Sequence, residues 1–514
     1  MEIFMKKPGV FLLGSAALLS GCASQAPSEK KPNIVFILAD DMGYGDVSAL
    51  NEDSKIHTEN IDCLARQGAV FTDAHSSSSV STPTRYGILT GRYNWRSTLK
   101  SGVLYGYSQP IIVPGRRTMA SVLKDRGYHT ACIGKWHLGW DWDSIEKGVD
   151  SIDYSKPIKN GPVTLGFDYF YGISASLDMA PYVYVENDLP TAVPDHVTEN
   201  TGMKFWRKGP TAPDFDHEQT LPNLVAHATK YIDERSKAGQ PFFLYLPFPA
   251  PHTPILPIKE FQGKSGLNPY GDFVLMVDYM VGEVMKAVDK AGIADNTIFV
   301  FTTDNGCSPQ ARFEELAEKG HYPGYIYRGY KADLYDGGHR IPCIVRWPAK
   351  IEPHTVSQTV CLTDFMATFA SVAGYELKDN EGEDSYDLLP LLLDTEEPAP
   401  IREATVHHSI EGDFTIRKGE WKLLMSPGSG GWSYPCPRTD TAVIKTLPGI
   451  QLYNMATDPG EKENVYDKHP EIVRELRDLL VKYIREGRST PGLPQPNEGP
   501  ETWKQLKWIT GTGD

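Results

Sequence analysis

Two acidic pairs stand out in this chain, Asp40-Asp41 in "ILADDMG" and Asp304-Asn305 in "TTDNG". They offer hard oxygen donors with no thiolate or imidazole cluster beside them, a set suited to calcium or magnesium rather than zinc or copper. A basic set accompanies them: Arg85, Lys135, His137, His252 and Lys331. Lys135 and His137 are two apart in "GKWHLG", a spacing that places both on one side of a strand, and the flanking glycines permit close approach. His252 stands in "APHTP", where prolines hold the backbone open. A cationic pocket beside a hard metal suits an oxyanion such as sulfate or phosphate. Each residue alone has an ordinary use as a turn, a cap or a solvated charge. Only their convergence points to chemistry.

Convergence requires a scaffold. "NIVFILA", "HTACIGK", "PFFLYLPF" and "NTIFVFTT" read as buried strands, and three of them end in Asp40-Asp41, Lys135-x-His137 and Asp304-Asn305. Between them "TENIDCLARQGAVF", "TMASVLKDRG", "TLPNLVAHATKYIDERSKAG" and "DFVLMVDYMVGEVMKAVDKAG" read as helices, the last with Phe273, Met276, Val277, Met280, Val281 and Val284 on one face. Such alternation predicts an α/β fold, a large mostly parallel sheet sandwiched by helices, with ligands beyond the carboxyl ends of the strands. After "DTEEPAPIRE" the texture changes to short strands and the helix "EIVRELRDLLVKYIREG", a smaller α+β subdomain. The expected organisation is 32–395 for the main domain and 396–514 for the subdomain.

The 514 residues, 40% hydrophobic and 23% charged, describe a packed globular protein. A net charge of −15 argues against nucleic acid as a general partner. Lys6 and Lys7 precede the apolar run "GVFLLGSAALLS", too short to span a membrane, which ends in Leu19-Ser20-Gly21-Cys22. This resembles the lipobox of bacterial lipoproteins, which implies a signal peptide over 1–21, lipidation of Cys22, a tether over 22–31 and a membrane-anchored exported protein at the periplasm or cell surface. The other six cysteines show no zinc spacing.

The stretch "SSSSVSTPTRYGILTGRY" bears on which oxyanion chemistry this is. Ser81-Thr82-Pro83-Thr84-Arg85 with Leu89-Thr90-Gly91-Arg92 resembles the signature of type I sulfatases, whose first Ser or Cys is oxidised to formylglycine (3-oxoalanine). "ADDMGYGD", "GKWHLG", "PHTP", "TTDNG" and "RGYKADLYDGGHRIPCIVRWP" follow in that family's order over nearly all of 32–470. The resemblance implies an alkaline-phosphatase-like sulfatase fold and a formylglycine at Ser81. It implies one Ca2+ held by Asp40, Asp41, Ser81, Asp304 and Asn305. Arg85, Lys135 and Lys331 would stabilise the aldehyde hydrate and the sulfate, His137 would assist the diol, and His252 would protonate the leaving alcohol. A serine-type sulfatase implies an anaerobic-type maturating enzyme as a partner. Asp336 and His339 stand where relatives often carry Glu and an apolar residue, changes expected on the pocket wall.

"GFDYFYGISASLDMAPYVYVENDLP" resembles sulfatases acting on 6-O-sulfated N-acetylgalactosamine or galactose. In that picture Asp178 and His217 bind sugar hydroxyls, and "GSGGWSYP" around Trp432 lines the pocket. Two alternatives stand beside a glycan sulfatase. One is a formylglycine-dependent phosphomonoester or phosphonate hydrolase; the other is a glycan-binding lipoprotein without catalysis.

Overall fold

The strand Asn33–Ala39 (β1) shows why the sheet is buried on both sides. Val35, Ile37 and Ala39 enter one apolar cluster, while Ile34, Phe36 and Leu38 enter another. In this computed structural model, which describes residues 30–510, three further strands run parallel beside it: β2 (His129–Lys135), β3 (Phe242–Pro247) and β4 (Thr297–Thr303). Their spatial order is β4-β1-β3-β2, so all four carboxyl ends meet at one edge. Tyr169–Ile173 extends the parallel set beyond β2. Antiparallel strands Cys343–Arg346 beside β4 and Val185–Glu186 beside Tyr169–Ile173 begin the flanks of a ten-stranded sheet.

Helices cover both faces. Thr220–Ser236 and Pro269–Lys290 lie on one, the second started by Asn268, whose side chain accepts from the Tyr270 and Gly271 N–H groups. All six residues of its expected apolar face are buried. Ser81–Thr90, Met119–Asp125 and Phe365–Ala373 lie on the other face. One expected helix is shorter than its pattern: it spans Glu59–Arg66, and Ala69–Phe71 instead pairs as a strand with Cys343–Arg346. Gln67 caps it, and Gly68 then lets the chain pass close to the neighbouring strand, where a side chain would meet the Val345 carbonyl at 2.3 Å.

Near the carboxyl end, Thr405–His408, Phe414–Lys418, Trp421–Leu424 and Gln451–Asn454 form an antiparallel sheet. The helix Pro470–Glu486 buries Leu476, Leu480, Tyr483 and Ile484 against it. From Pro32 onward the described residues form one compact unit. The expected signal peptide, Cys22 and nearly all of the tether lie outside the described residues. Among the described residues no helix is long and apolar enough to cross a membrane, and Cys63, Cys132, Cys307, Cys343, Cys361 and Cys436 are free thiols.

Candidate functional site

The residue at the start of the helix Ser81–Thr90 faces the carboxyl ends of the four core strands. Ser81 is its first residue, at the positive end of the helix dipole, and Arg85 follows one turn later on the same face. Gly91 closes this helix with φ +61, and a side chain there would strike Gly382 and Ser385. Arg92 turns away to Glu383 and Glu498, so the "LTGR" half of the motif holds the helix down rather than doing chemistry.

β1 delivers Asp40 and Asp41, and β4 delivers Asp304 and Asn305. Asp41 has φ +64, a left-handed conformation uncommon for a side-chain-bearing residue and concentrated at functional sites. Arg85 donates to Asp304 at 2.8 Å and lies 3.6 Å from Asp40. Lys135 Nζ sits 2.6 Å from Asp40 and 3.4 Å from Ser81 Oγ, which is itself 3.3 Å from Asp40. Lys331 pairs with Asp41 at 2.7 Å, and His252 Nε2 stands 3.7 Å from the same carboxylate. Burial pushes the Asp40 carboxyl up, but Lys135, His252 and Arg85 outweigh it and hold the group well below the usual carboxylate range. Burial lowers the Lys135 ammonium, offset in part by Asp40.

Among the buried atoms here that lack protein partners, Arg85 Nε included, two acceptors bear on the chemistry. Asn305 donates through Nδ2 to Asp41 at 2.7 Å, yet its Oδ1 has no hydrogen-bond partner. A buried orphan acceptor beside Asp40, Asp41 and Asp304 is what a hard cation requires, so these residues fit calcium. Three carboxylates already face three cations, Arg85, Lys135 and Lys331. A divalent ion therefore leaves the pocket positive and matched to an anion. The second atom is His137 Nδ1. The other ring nitrogen, Nε2, donates to the Leu104 carbonyl at 2.7 Å, so Nδ1 is a bare lone pair. Burial, then Lys135 and Arg85, pushes this imidazole well below its ordinary range and keeps it neutral.

His137 arrives by a different route from the expected one. β2 ends at Lys135, and His137 has φ +58, so the two do not alternate along a strand. A turn, not the pleat, brings His137 in. Gly134 has its own use, since a side chain there would meet the Pro247 carbonyl at 2.0 Å.

Ser81, His137, His252 and Lys331 line one cavity of about 460 Å³, together with Asp178 and Trp432. Asp178 is salt-bridged through Oδ2 to Arg207, while its buried Oδ1 has no partner. His217 is not brought here: it lies flat on Trp206, 3.9 Å between ring centres, and lines a separate cavity. Asp336 and His339 are likewise absent from this wall; Asp336 is buried against Lys422, and His339 against His75. Sequence reasoning missed Tyr105, Arg207 and Gln310, which line the cavity. Arg207 stacks near Phe205 and Tyr105, and the basic-aromatic run "KFWRK" was its only signal.

Residues 32–375 match the sulfatase family model. The chain belongs to the sulfatase family. It is therefore a sulfuric ester hydrolase, with the large mixed sheet and small terminal sheet of that fold. This sulfatase is 35% identical to an N-acetylgalactosamine-6-O-sulfatase of Bacteroides thetaiotaomicron, over 91% of this chain and 97% of that one. It is 31% identical to human arylsulfatase A, over 95% and 94% of the two chains. A solved sulfatase structure, from work on the metabolism of multiple glycosaminoglycans by Bacteroides thetaiotaomicron, superposes with a TM-score of 0.76. That pair is 34% identical and covers 88% of this chain and 99% of the other.

Proposed function

We propose that this sulfatase removes 6-O-sulfate from N-acetylgalactosamine or galactose in glycosaminoglycan-type glycans. The single observation that carries the substrate class is the joint cavity of Ser81, Lys331 and the half-satisfied Asp178, read beside the 35% identical relative named for that reaction. Asp178 Oδ1 is a buried acceptor aimed at a donor the protein does not supply, which a sugar hydroxyl provides.

Asp40, Asp41, Ser81, Asp304 and Asn305 would hold Ca2+, which polarises the bound ester when present. Oxidised to formylglycine, Ser81 would supply a hydrated aldehyde able to release sulfate, whereas a serine alkoxide would be left as a stable sulfate ester. Lys135 and Lys331 would neutralise sulfate oxygens, and Arg85 would stabilise the aldehyde hydrate at Ser81. Neutral His137, with a bare lone pair at Nδ1, would assist the diol by accepting a hydrogen bond from its hydroxyl. His252, at the cavity wall, gives a proton to the departing sugar oxygen. The amino-terminal sequence supports export and lipid anchoring through Cys22, and the serine supports an anaerobic-type maturating enzyme as partner.

The test is the mass of the tryptic peptide Gln67–Arg85 from the native host, with rates on 6-sulfated, 4-sulfated and 6-phosphorylated N-acetylgalactosamine. A peptide two hydrogens lighter and a steep preference for the 6-sulfate are expected. An unmodified peptide sinks the mechanism and favours a glycan-binding role. Equal turnover of the phosphate ester favours the phosphohydrolase.

A further inference from the structure

Behind the serine run lies a group of buried imidazoles that the hydrolytic centre does not touch. His75 ends the short strand Ala74–His75, His339 ends the short helix Asp336–His339, and His407 lies in Thr405–His408. Their partners fix where most of the ring hydrogens sit. His75 Nε2 is 2.7 Å from Asp73. Burial raises that carboxyl, but Arg417 and Arg340, at 3.1 and 3.2 Å, hold it below the usual range. Asp73 therefore accepts, and His75 Nε2 carries a hydrogen. His339 Nε2 is 2.9 Å from the Leu334 carbonyl, which can only accept, so it too carries a hydrogen. His407 donates from Nδ1 to the Ser76 carbonyl at 2.8 Å and accepts at Nε2 from Thr405 Oγ1 at 2.9 Å.

With those hydrogens placed, neutral His75 and His339 each present a bare lone pair at Nδ1. The two atoms are 2.9 Å apart. Lone pairs at that distance repel, whereas one proton between them makes an ordinary N–H···N bond. We propose that His75 and His339 share one proton across this contact, and that the resulting imidazole–imidazolium pair positions the serine run and, through it, Ser81.

A metal ion fits the same atoms poorly. The His407 ring lies parallel to His339, 4.1 Å away at 6°, so their in-plane donors do not converge on a point, and both His407 nitrogens are engaged. The charged groups facing the pair are Asp73, Asp336 and Glu461 on one side of the ledger of sign, and Arg340, Arg417 and Lys422 on the other. Burial drives all three imidazoles toward the neutral form. Against it stand the Nδ1 contact, which two neutral rings cannot satisfy, and the carboxylates of Asp73 and Asp336.

Ser76 is clamped by this cluster: its N–H donates to the His339 carbonyl at 2.8 Å, and its carbonyl accepts from His407. Ser76 Oγ reaches the Ser78 carbonyl at 2.6 Å, and Thr84, inside the helix of Ser81 and Arg85, reaches the same carbonyl at 2.8 Å. Loss of the shared proton sets the lone pairs in opposition and loosens that chain of bonds. Activity should therefore hold below the pair's pKa and fall as pH rises through it.

The activity arm of the test rests on the sulfatase reading; the spectroscopic arm does not. In the full chain labelled with 15N-histidine, a far-downfield ring proton bonded between two imidazole nitrogens is expected, and His339→Asn should remove it. That variant offers an amide donor in place of Nδ1, so it should keep kcat and lose the alkaline fall. His339→Leu should lower kcat roughly tenfold at unchanged KM. Rates are normalised to the oxidised fraction of Ser81, so incomplete maturation is not mistaken for misplacement. Only neutral rings, or a stoichiometric transition metal lost in His339→Asn, would overturn the shared proton. Wild-type kcat in His339→Leu would overturn the positioning role. A shared proton in a chain without sulfatase activity would leave the pair standing while the catalytic reading fails.

Discussion

The hydrolytic centre and the histidine cluster are made from the same materials, buried carboxylates, cations and imidazoles, yet they end in opposite states. In the cluster every imidazole nitrogen has a partner. In the centre Asn305 Oδ1, His137 Nδ1 and Asp178 Oδ1 are buried and unpartnered. An unmet buried polar group costs about 1–3 kcal/mol, so several converging on one cavity mark a place completed by something other than protein. A saturated network marks a place that holds the fold in register.

That contrast can be broken first at Ser81. Ser81→Ala should reduce sulfate-ester hydrolysis about a thousandfold or more, measured at saturating substrate, while leaving the melting temperature almost unmoved. Retained turnover would remove Ser81 from the chemistry. Next comes the orphan acceptor. Calcium at a hundredfold excess over its Kd should stabilise the native chain by about 2.7 kcal/mol, read as a rise in Tm against a chelator control. Asn305→Leu should abolish that rise; an undiminished shift would place the ion elsewhere. Third, Asp178→Ala should lower kcat/KM on the 6-sulfated sugar by about 2 kcal/mol, near thirtyfold, with a smaller loss on a simple aryl sulfate. Equal losses on both would make Asp178 a structural group.

His217 sharpens the contrast at smallest effect, because its Nε2 is buried and unpartnered yet lies outside the Ser81 cavity. Burial pulls its pKa down to about 3. The unfolded chain binds this proton more tightly, so the stability it contributes is present above about 6.5 and lost as pH falls toward 3. His217→Phe should flatten the acid limb of the stability curve by up to about 1.4 kcal/mol per pH unit. An unchanged slope would mean that a partner satisfies the ring in solution.

Much of this arrangement was legible from residue order. Apolar strands closing in Asp40-Asp41 and Asp304-Asn305 announced both the sheet and its working edge, because burial on two faces leaves few places for such groups. The route of His137 was not legible, since a strand period continues on paper past the point where φ turns positive. His339 was placed on the pocket wall by its neighbourhood in the chain, whereas the strand Thr405–His408 captures it from behind. Contacts made across hundreds of residues leave no local period to read. Arg207 escaped for the same reason: Asp178 holds it from another segment.

The burial of Ser81 also sets a schedule. The residue is 2% exposed and lines a cavity of about 460 Å³, room for a sugar but not for a protein. Ser78 is hydrogen-bonded to His408, 330 residues downstream, in the strand that covers the serine run. At about 5–20 residues per second of synthesis, His408 appears roughly 17–66 s after Ser78 does. Under the proposed formylglycine mechanism, an oxidising partner would have that interval, extended by any delay before folding, to find its substrate. On that mechanism a molecule that closes early would be sealed in its unconverted form, and the proportion of working enzyme in a cell would be settled by a race run before the fold exists.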